Sequence, residues 1–410
     1  MGITLRRKIF LFSLVIILFL IPSSKLPLDP IEKITLDHSF SLINWEIKNI
    51  FPKWIYISKK YIQNDKTDSS ETINLLQKYL TLTKEKNLYQ KQLQLENLPQ
   101  VQKNVVKNNL KITIDEMQNL KPIVEELCER AMTKTIRLNG IKTKLNTIFP
   151  PVDISLEPPP LILVISPRDK IQIEKSVFLS PDLLNAKKNS IENEILQKNN
   201  KSAYISNLSG LSTYPTLISN EYNSLEIFST TAHEWLHLYW FFRPFGQNIF
   251  KSNEMRTLNE TAADIAGREL GLQTYINLNI KSDTSVKSNP STAKKYPQFT
   301  KHMRETRIEV EKMLKNNNIE EAEKYMKKRW WELSLAGYNL RKINQAYFAL
   351  YGIYAESAGS VSPIGEQLRE FRSLVPTTGD FVKEISQISS YSDFLEELKN
   401  KKSKINPTSS

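Results

Sequence analysis

The sequence of 410 residues contains a single cysteine, Cys128, which excludes an intramolecular disulfide. It also lacks internal repeats and a coiled-coil heptad pattern. Lysine and arginine outnumber the acidic residues by 56 to 44 and give a formal net charge of +12. No basic run alternates with regularly placed aromatic residues, however, and no nucleic-acid-binding motif is present. We therefore predict no nucleic-acid partner and interpret the positive charge as a solvated surface.

The N-terminus has the pattern of a targeting segment. Arg6, Arg7 and Lys8 precede an apolar run over residues 9–21, and basic residues before such a run are typical of a signal peptide or a signal anchor. The run is short for a spanning helix, whereas the residues after it lack the small-x-small pattern of a cleavage site and favour an uncleaved anchor. We interpret residues 1–30 as a signal peptide or N-terminal membrane anchor. The protein is then expected to be membrane-anchored or secreted, with its main domain outside the cytoplasm.

Hydrophobic periodicity divides the rest of the chain into regions. Apolar residues recur at spacings of three and four over residues 72–95 and 105–138, which predicts helices, and Pro122 is expected to bend or restart the second one. Proline-rich stretches at residues 149–151 and 158–160 indicate a boundary. We predict a helical N-terminal region over residues 31–148, a central region over 149–280, a helical C-terminal region over 281–399 and a disordered tail over 400–410.

Short runs of β-type residues follow the proline-rich boundary. They cover residues 161–166, 171–179 and 203–208, and turn residues separate them. With helical patterns before and after, these runs predict an α+β fold that is mainly α.

His233, Glu234 and His237 form an HExxH motif that uses two of the four histidines in the chain. A capping box over residues 223–226 and apolar residues at helical spacing predict that the motif lies on an amphipathic helix that ends near Pro244. The two histidines then share one face, at the spacing that two imidazole ligands of a tetrahedral zinc ion need. Glu234 lies beside the first ligand, where it can take a proton from water. The alternative is ordinary helix histidines near a polar edge, but a buried helix must give all three side chains partners, and a metal would do so.

A third ligand is expected nearby, on a second helix that ends at Gly271. Glu260 and Asp264 are four residues apart and are predicted to lie on one face of this helix. As an alternative, Thr257 and Glu260 have the spacing of a capping box, in which the glutamate needs no metal. HExxH followed by NExxxD at Asn259, Glu260 and Asp264 resembles the gluzincin, or thermolysin-like, zinc metallopeptidases.

The resemblance covers only these two predicted helices and is specific for a zinc site, not for a substrate. It implies that residues 149–280 form a zincin-like catalytic core in which a small sheet lies over the active-site helix and its edge strand pairs with extended substrate; a sheet with a purely structural role is the alternative. It also implies hydrolysis of peptide bonds in a peptide or protein substrate. By resemblance, Zn2+ is bound by His233, His237 and Glu260, Glu234 is the general base, and Asp264 hydrogen-bonds a ligand histidine.

Enzymes of this group commonly use a His or Tyr side chain to stabilise the tetrahedral oxyanion. Tyr354 is our candidate because it lies at the edge of a Gly/Ser loop, ahead of Tyr347, Tyr351 and His302. Core packing is the alternative role for each tyrosine of this aromatic stripe.

Two other functions remain open. One is a non-catalytic, peptidase-like binding or scaffold protein, and the other is a zinc hydrolase that acts on a non-peptide amide or ester. The presence of Glu234, which is not a ligand, favours catalysis because a structural site does not need it.

Overall fold

The computed structural model describes residues 29–49, 69–95, 98–280 and 297–405. Across these ranges the chain is mainly helical and carries small sheets, which confirms the α+β, mainly α class. The helices are α1 (Pro30–Thr35), α2 (Ser69–Leu93), α3 (Gln100–Leu138), α4 (Asn185–Asn199), α5 (Ser224–Phe241), α6 (Pro244–Gln247), α7 (Asn253–Asn277), α8 (Pro297–Lys315), α9 (Ile319–Leu335), α10 (Gln345–Tyr351), α11 (Ile364–Ser373), α12 (Thr378–Ile385) and α13 (Tyr391–Ile405), and residues 42–49 are also helical. The strands are β1 (Ile154–Leu156), β2 (Leu161–Pro167), β3 (Lys175–Leu179), β4 (Lys201–Asn207), β5 (Gly210–Leu211) and β6 (Thr216–Ile218).

The three predicted strands form one antiparallel sheet in the order β3-β2-β4. Alternate residues of β2 point to opposite faces. Leu163 and Ile165 pack in one core with residues of α1 and α4. Val164 packs in another core with residues of α8, α9 and α10. Both faces of the sheet are therefore covered by helices.

A second, smaller sheet was not predicted. Strand β6 lies between β1, to which it runs parallel, and β5, to which it runs antiparallel. Strands β5 and β6 pack against α5, the helix that carries HExxH. The predicted strands are therefore not the ones that contact the motif helix, because the β3-β2-β4 sheet packs against α4 and α10.

The largest core surrounds α5 and α7. Helices α2 and α3 form a pair, and α3 contacts α5, α7 and β1, while α11, α12 and α13 pack against α7. Trp235 and Trp240 of α5 are completely buried in this core. The C-terminal half of α5 is thus buried on one side, which holds the motif helix in place, whereas Phe241 at its end is 65% exposed.

Two sequence-based boundaries need correction. Helix α3 continues through Pro122 from Gln100 to Leu138, so the proline does not restart the helix. Helix α13 extends to Ile405, so the tail predicted to be disordered is helical over residues 400–405, and residues 406–410 lie outside the described ranges.

The prediction of a transmembrane anchor also needs correction. Within the described ranges, no helix combines the length and the apolar character that a membrane crossing requires. The apolar run at residues 9–21, on which the prediction was based, lies outside those ranges.

Candidate metal centre

Helix α5 presents the HExxH motif as its sequence predicts. The side chain of Asn223 accepts a hydrogen bond from the Glu226 amide, and the Glu226 carboxylate accepts one from the Asn223 amide, so both halves of the capping box are formed. The helix ends at Phe241, just before Pro244. His233 and His237 lie half-buried on one face, one turn apart.

Helix α7 begins earlier than the sequence suggested. Ser252 is its N-cap, and the Ser252 hydroxyl accepts a hydrogen bond from the Met255 amide at 3.1 Å. Thr257 is therefore inside the helix, and the alternative in which Thr257 and Glu260 form a capping box is wrong. Glu260 lies two turns into α7, where the helix backbone does not need its carboxylate.

Two glycines let α7 approach α5 closely in an antiparallel arrangement. A Cβ at Gly271 would lie 2.5 Å from the backbone of Ser229, and one at Gly267 would lie 3.0 Å from the His233 amide nitrogen. Gly271 therefore does not end the helix, which continues to Asn277. Its role is to bring the carboxylates of α7 within reach of the histidines of α5.

Three electron-pair donors converge between the two helices. The Nε2 atoms of His233 and His237 lie 3.1 Å apart, and Oε2 of Glu260 lies 3.6 Å from each of them. Ligands of a tetrahedral zinc ion at ordinary bond lengths are about 3.3–3.5 Å from one another. A carboxylate oxygen of Glu234 also lies within 4.8 Å of the imidazole donor atoms. The spacing therefore fits a single small metal ion.

The hydrogen bonds on the far side of each imidazole support this fit. Nδ1 of His237 lies 2.9 Å from Oδ1 of Asn259, whose amide nitrogen is directed at a backbone carbonyl, and Nδ1 of His233 lies 3.1 Å from Oδ1 of Asp264. Both Nδ1 atoms face acceptors and so carry the hydrogen in the neutral tautomer. Both Nε2 lone pairs then point at each other and at the Glu260 carboxylate. A cation between them relieves the repulsion, and second partners of this kind are usual for metal-binding histidines.

The electrostatics of the cluster favour positive charge. Burial lowers the pKa of His233, but its hydrogen bonds to Asp264 and Glu260 outweigh burial and raise that pKa well above its usual value. Burial likewise raises the pKa of Glu260, but the charges and hydrogen bonds of His237 and His233 hold it below its usual range. Glu260 is therefore ionised and stabilises a cation at the imidazoles.

Glu234 is buried and contacts the small sheet. Oγ of Ser212, directly after β5, donates a hydrogen bond to Oε2 of Glu234 at 2.6 Å. Gly210 of β5 packs against the Glu234 side chain so closely that a Cβ there would lie 2.8 Å from its Cγ. Sequence reasoning missed both residues, because a two-residue strand has no detectable alternation of apolar and polar residues.

Tyr354 lies on the loop after α10, near the cluster. Burial raises the pKa of its hydroxyl, and the negative charges of Glu260, Asp264 and Glu234 raise it further. The loop is attached beside the candidate ligand, because the amide of Ala355 donates to Oγ1 of Thr261 at 3.0 Å.

The other three candidates have partners elsewhere. The Tyr351 hydroxyl lies 3.0 Å from Oγ of Ser206, the ring of Tyr347 packs edge-on against Tyr204, and Nε2 of His302 lies 3.0 Å from the carbonyl oxygen of Arg329.

Comparison with protein-family models, with curated proteins and with solved structures finds no match to this chain. The similarity to gluzincins therefore depends on the two helical motifs alone. What the cluster can do chemically follows from its own geometry: His233, Glu234 and His237 could bind a metal ion, and Oε2 of Glu260 is close enough to both imidazoles to serve as the carboxylate ligand in place of Glu234.

Proposed function

We propose that this chain is a zinc metallopeptidase of the gluzincin type, which hydrolyses peptide bonds in a peptide or protein substrate. The observation that carries the proposal is the convergence of the His233, His237 and Glu260 donor atoms between α5 and α7, with both Nδ1 atoms already hydrogen-bonded. Three protein ligands are typical of catalytic zinc sites, whereas structural sites are closed by four.

The neighbouring side chains support hydrolysis. Zinc, when bound, supplies Lewis-acid polarisation of the scissile carbonyl group and of water. Glu234 accepts the proton of the attacking water on its carboxylate and transfers it to the leaving amine. Tyr354 donates a hydrogen bond to the oxyanion, a role for which its raised pKa is suitable because the hydroxyl stays protonated at neutral pH.

Glu234→Gln tests the proposal directly. The purified full-length chain, supplied with zinc and then freed of excess, is expected to hold about one zinc ion and to cleave peptides of a quenched-fluorescent library. Glu234→Gln is expected to keep the metal and to lose about 10²–10⁴-fold in rate, the usual contribution of a general base. Elemental analysis and fluorescence measure the two quantities. Glu254→Gln, an exposed carboxylate in the first turn of α7, is the matched control and is expected to behave as wild type.

Four outcomes would contradict this function. If the wild-type protein holds no zinc after zinc has been supplied, the residues do not form a zinc site. Zinc without hydrolysis of any peptide favours the scaffold protein, and cleavage of esters or non-peptide amides alone favours the other hydrolase. Full activity in Glu234→Gln removes the glutamate from the mechanism.

A further inference from the structure

The residues after β4 bring a glycine and a serine to the same side of the chain. Gly210 and Ser212 are separated by one residue, and residues i and i+2 of an extended segment point to one face. Both meet the side chain of Glu234 on α5. By the same alternation, Leu211 between them points to the opposite side. The Gly-x-Ser spacing therefore allows Gly210 and Ser212 to contact the same carboxylate.

Gly210 limits where the Glu234 side chain can lie. A Cβ at this position would be 2.8 Å from Glu234 Cγ, 2.9 Å from its Oε1 and 2.8 Å from Cγ2 of Thr230. These distances are too short for any side chain, so the bare backbone of β5 packs against the stem of the glutamate. The strand therefore restricts the rotamers of Glu234 from one side.

Ser212 determines which carboxylate oxygen is engaged. An ionised carboxylate only accepts hydrogen bonds, so the 2.6 Å contact between Ser212 Oγ and Glu234 Oε2 has the hydroxyl as donor. Such charge-assisted bonds are shorter and stronger than neutral ones. The bond fixes the orientation of the carboxylate group and leaves lone pairs on its oxygens that can accept a proton.

We propose that Ser212 is a positioning residue for Glu234: its hydroxyl holds Oε2, in a space that Gly210 keeps open, and thereby fixes the orientation of the carboxylate that deprotonates the water. The catalytic part of this proposal rests on the proposed function. The contact between Ser212 and Glu234 does not, and it can be measured without metal or substrate. A glutamate side chain loses rotamer entropy when it is held, and a misplacement of about 1 Å can cost a hundredfold in rate.

The first experiment measures the contact in the metal-free protein by a double-mutant cycle of urea unfolding. Ser212→Ala is expected to lower the urea midpoint in the wild-type background and to leave it unchanged in the Glu234→Ala background. Ser209→Ala removes an exposed hydroxyl of the same segment that contacts Tyr222 and not Glu234, and any shift of the midpoint is expected to be equal in the two backgrounds. Equal shifts of the midpoint for Ser212→Ala in both backgrounds would overturn the proposal.

The second experiment separates positioning from folding and from metal binding. Ser212→Ala is expected to keep the zinc content of the wild type and its KM, and to lower kcat about ten- to a hundredfold. Ser212→Thr retains the hydroxyl and is expected to restore most of kcat. Loss of zinc from folded Ser212→Ala, or failure of Ser212→Thr to recover more activity than Ser212→Ala, would make the role structural and overturn the proposal.

The two proposals fail in different ways. A wild-type protein that binds zinc but hydrolyses nothing overturns the proposed function and the catalytic role of Ser212 together, although the coupling to Glu234 would remain measurable. A wild-type enzyme that hydrolyses peptides while Ser212→Ala does so equally well overturns the role of Ser212 alone.

Discussion

Glu192 and Glu260 are both buried glutamates surrounded by nitrogen atoms, but the chemistry of those nitrogens differs. The Glu192 side chain is 0% exposed and lies 2.5 Å from both the guanidinium of Arg341 and the ammonium of Lys342. It also accepts a hydrogen bond from the Ile205 amide at 2.6 Å. Two permanent cations neutralise this carboxylate, so the cluster is complete as an ion-pair network that joins α4, β4 and the segment before α10.

The neighbours of Glu260 are not permanent cations. Its Oε2 lies 3.6 Å from the Nε2 atoms of His233 and His237, whose Nδ1 atoms are directed at Asp264 and Asn259. Neutral imidazoles would offer lone pairs to the carboxylate, so its charge is balanced either by a proton, which the raised pKa of His233 favours in the absence of metal, or by a metal ion. The comparison teaches that burial of a carboxylate does not by itself indicate a metal site, whereas burial beside two imidazoles whose Nδ1 atoms have acceptors leaves a position that a proton or a metal ion can fill.

Removing one member of each cluster has the largest expected effect. His237→Ala is expected to abolish zinc binding, because only one imidazole and one carboxylate remain, and to leave the fold intact. Glu192→Gln is expected to lower the free energy of unfolding by about 1–3 kcal/mol, since two half-buried cations lose their counter-charge, and to leave zinc binding unchanged. Elemental analysis and urea unfolding measure the two effects. Retention of zinc by His237→Ala, or loss of zinc from folded Glu192→Gln, would contradict the assignment of zinc binding to the Glu260 cluster alone.

A tyrosine beside each cluster allows a sharper comparison. Tyr354 lies in the field of Glu260, Asp264 and Glu234, whereas Tyr204 lies in the other cluster with its ring 5.0 Å from the guanidinium carbon of Arg341. Tyr354→Phe is expected to lower kcat about 10²–10³-fold, the usual cost of one oxyanion donor, without loss of zinc.

Tyr204→Phe is the matched control, because it also removes a largely buried hydroxyl. It is expected to leave kcat unchanged. Equal kcat values for the two variants would show that Tyr354 does not stabilise the oxyanion and has the packing role that is usual for buried tyrosines.

The smallest effect is expected for the partner of a ligand. Asp264→Asn preserves an acceptor for Nδ1 of His233 but removes the charge, so zinc affinity is expected to fall about 10–100-fold. Competition with a chromogenic chelator measures the affinity, with His233→Ala in parallel. An effect of Asp264→Asn as large as that of His233→Ala would show that Asp264 binds the metal itself.

Much of the cluster could be predicted from the sequence because helix geometry is local. The capping box at Asn223 and the four-residue spacings of His233 with His237 and of Glu260 with Asp264 place side chains on helix faces without knowledge of the fold. The start of α7 was missed because Ser252 lies in a short polar stretch, whereas Thr257 and Glu260 have the spacing of a capping box. Helix α3, which continues through Pro122, packs against α5, α7 and β1. Such contacts between distant segments cannot be predicted from the local sequence.

The sequence by itself determined that this protein is mainly helical and that two helices carry histidine and carboxylate side chains at ligand spacing. The reason is that the helical period of 3.6 residues fixes which side chains of a helical segment share one face. Only the tertiary structure decided that Glu260 faces both imidazoles, that Tyr354 is near them, and that Ser212 reaches Glu234. These contacts join residues far apart in the chain through close packing of α7 on α5 at Gly267 and Gly271, and of β5 on α5 at Gly210. The sequence does not show which element packs closely against a given glycine, because a close contact depends on both of the surfaces that meet.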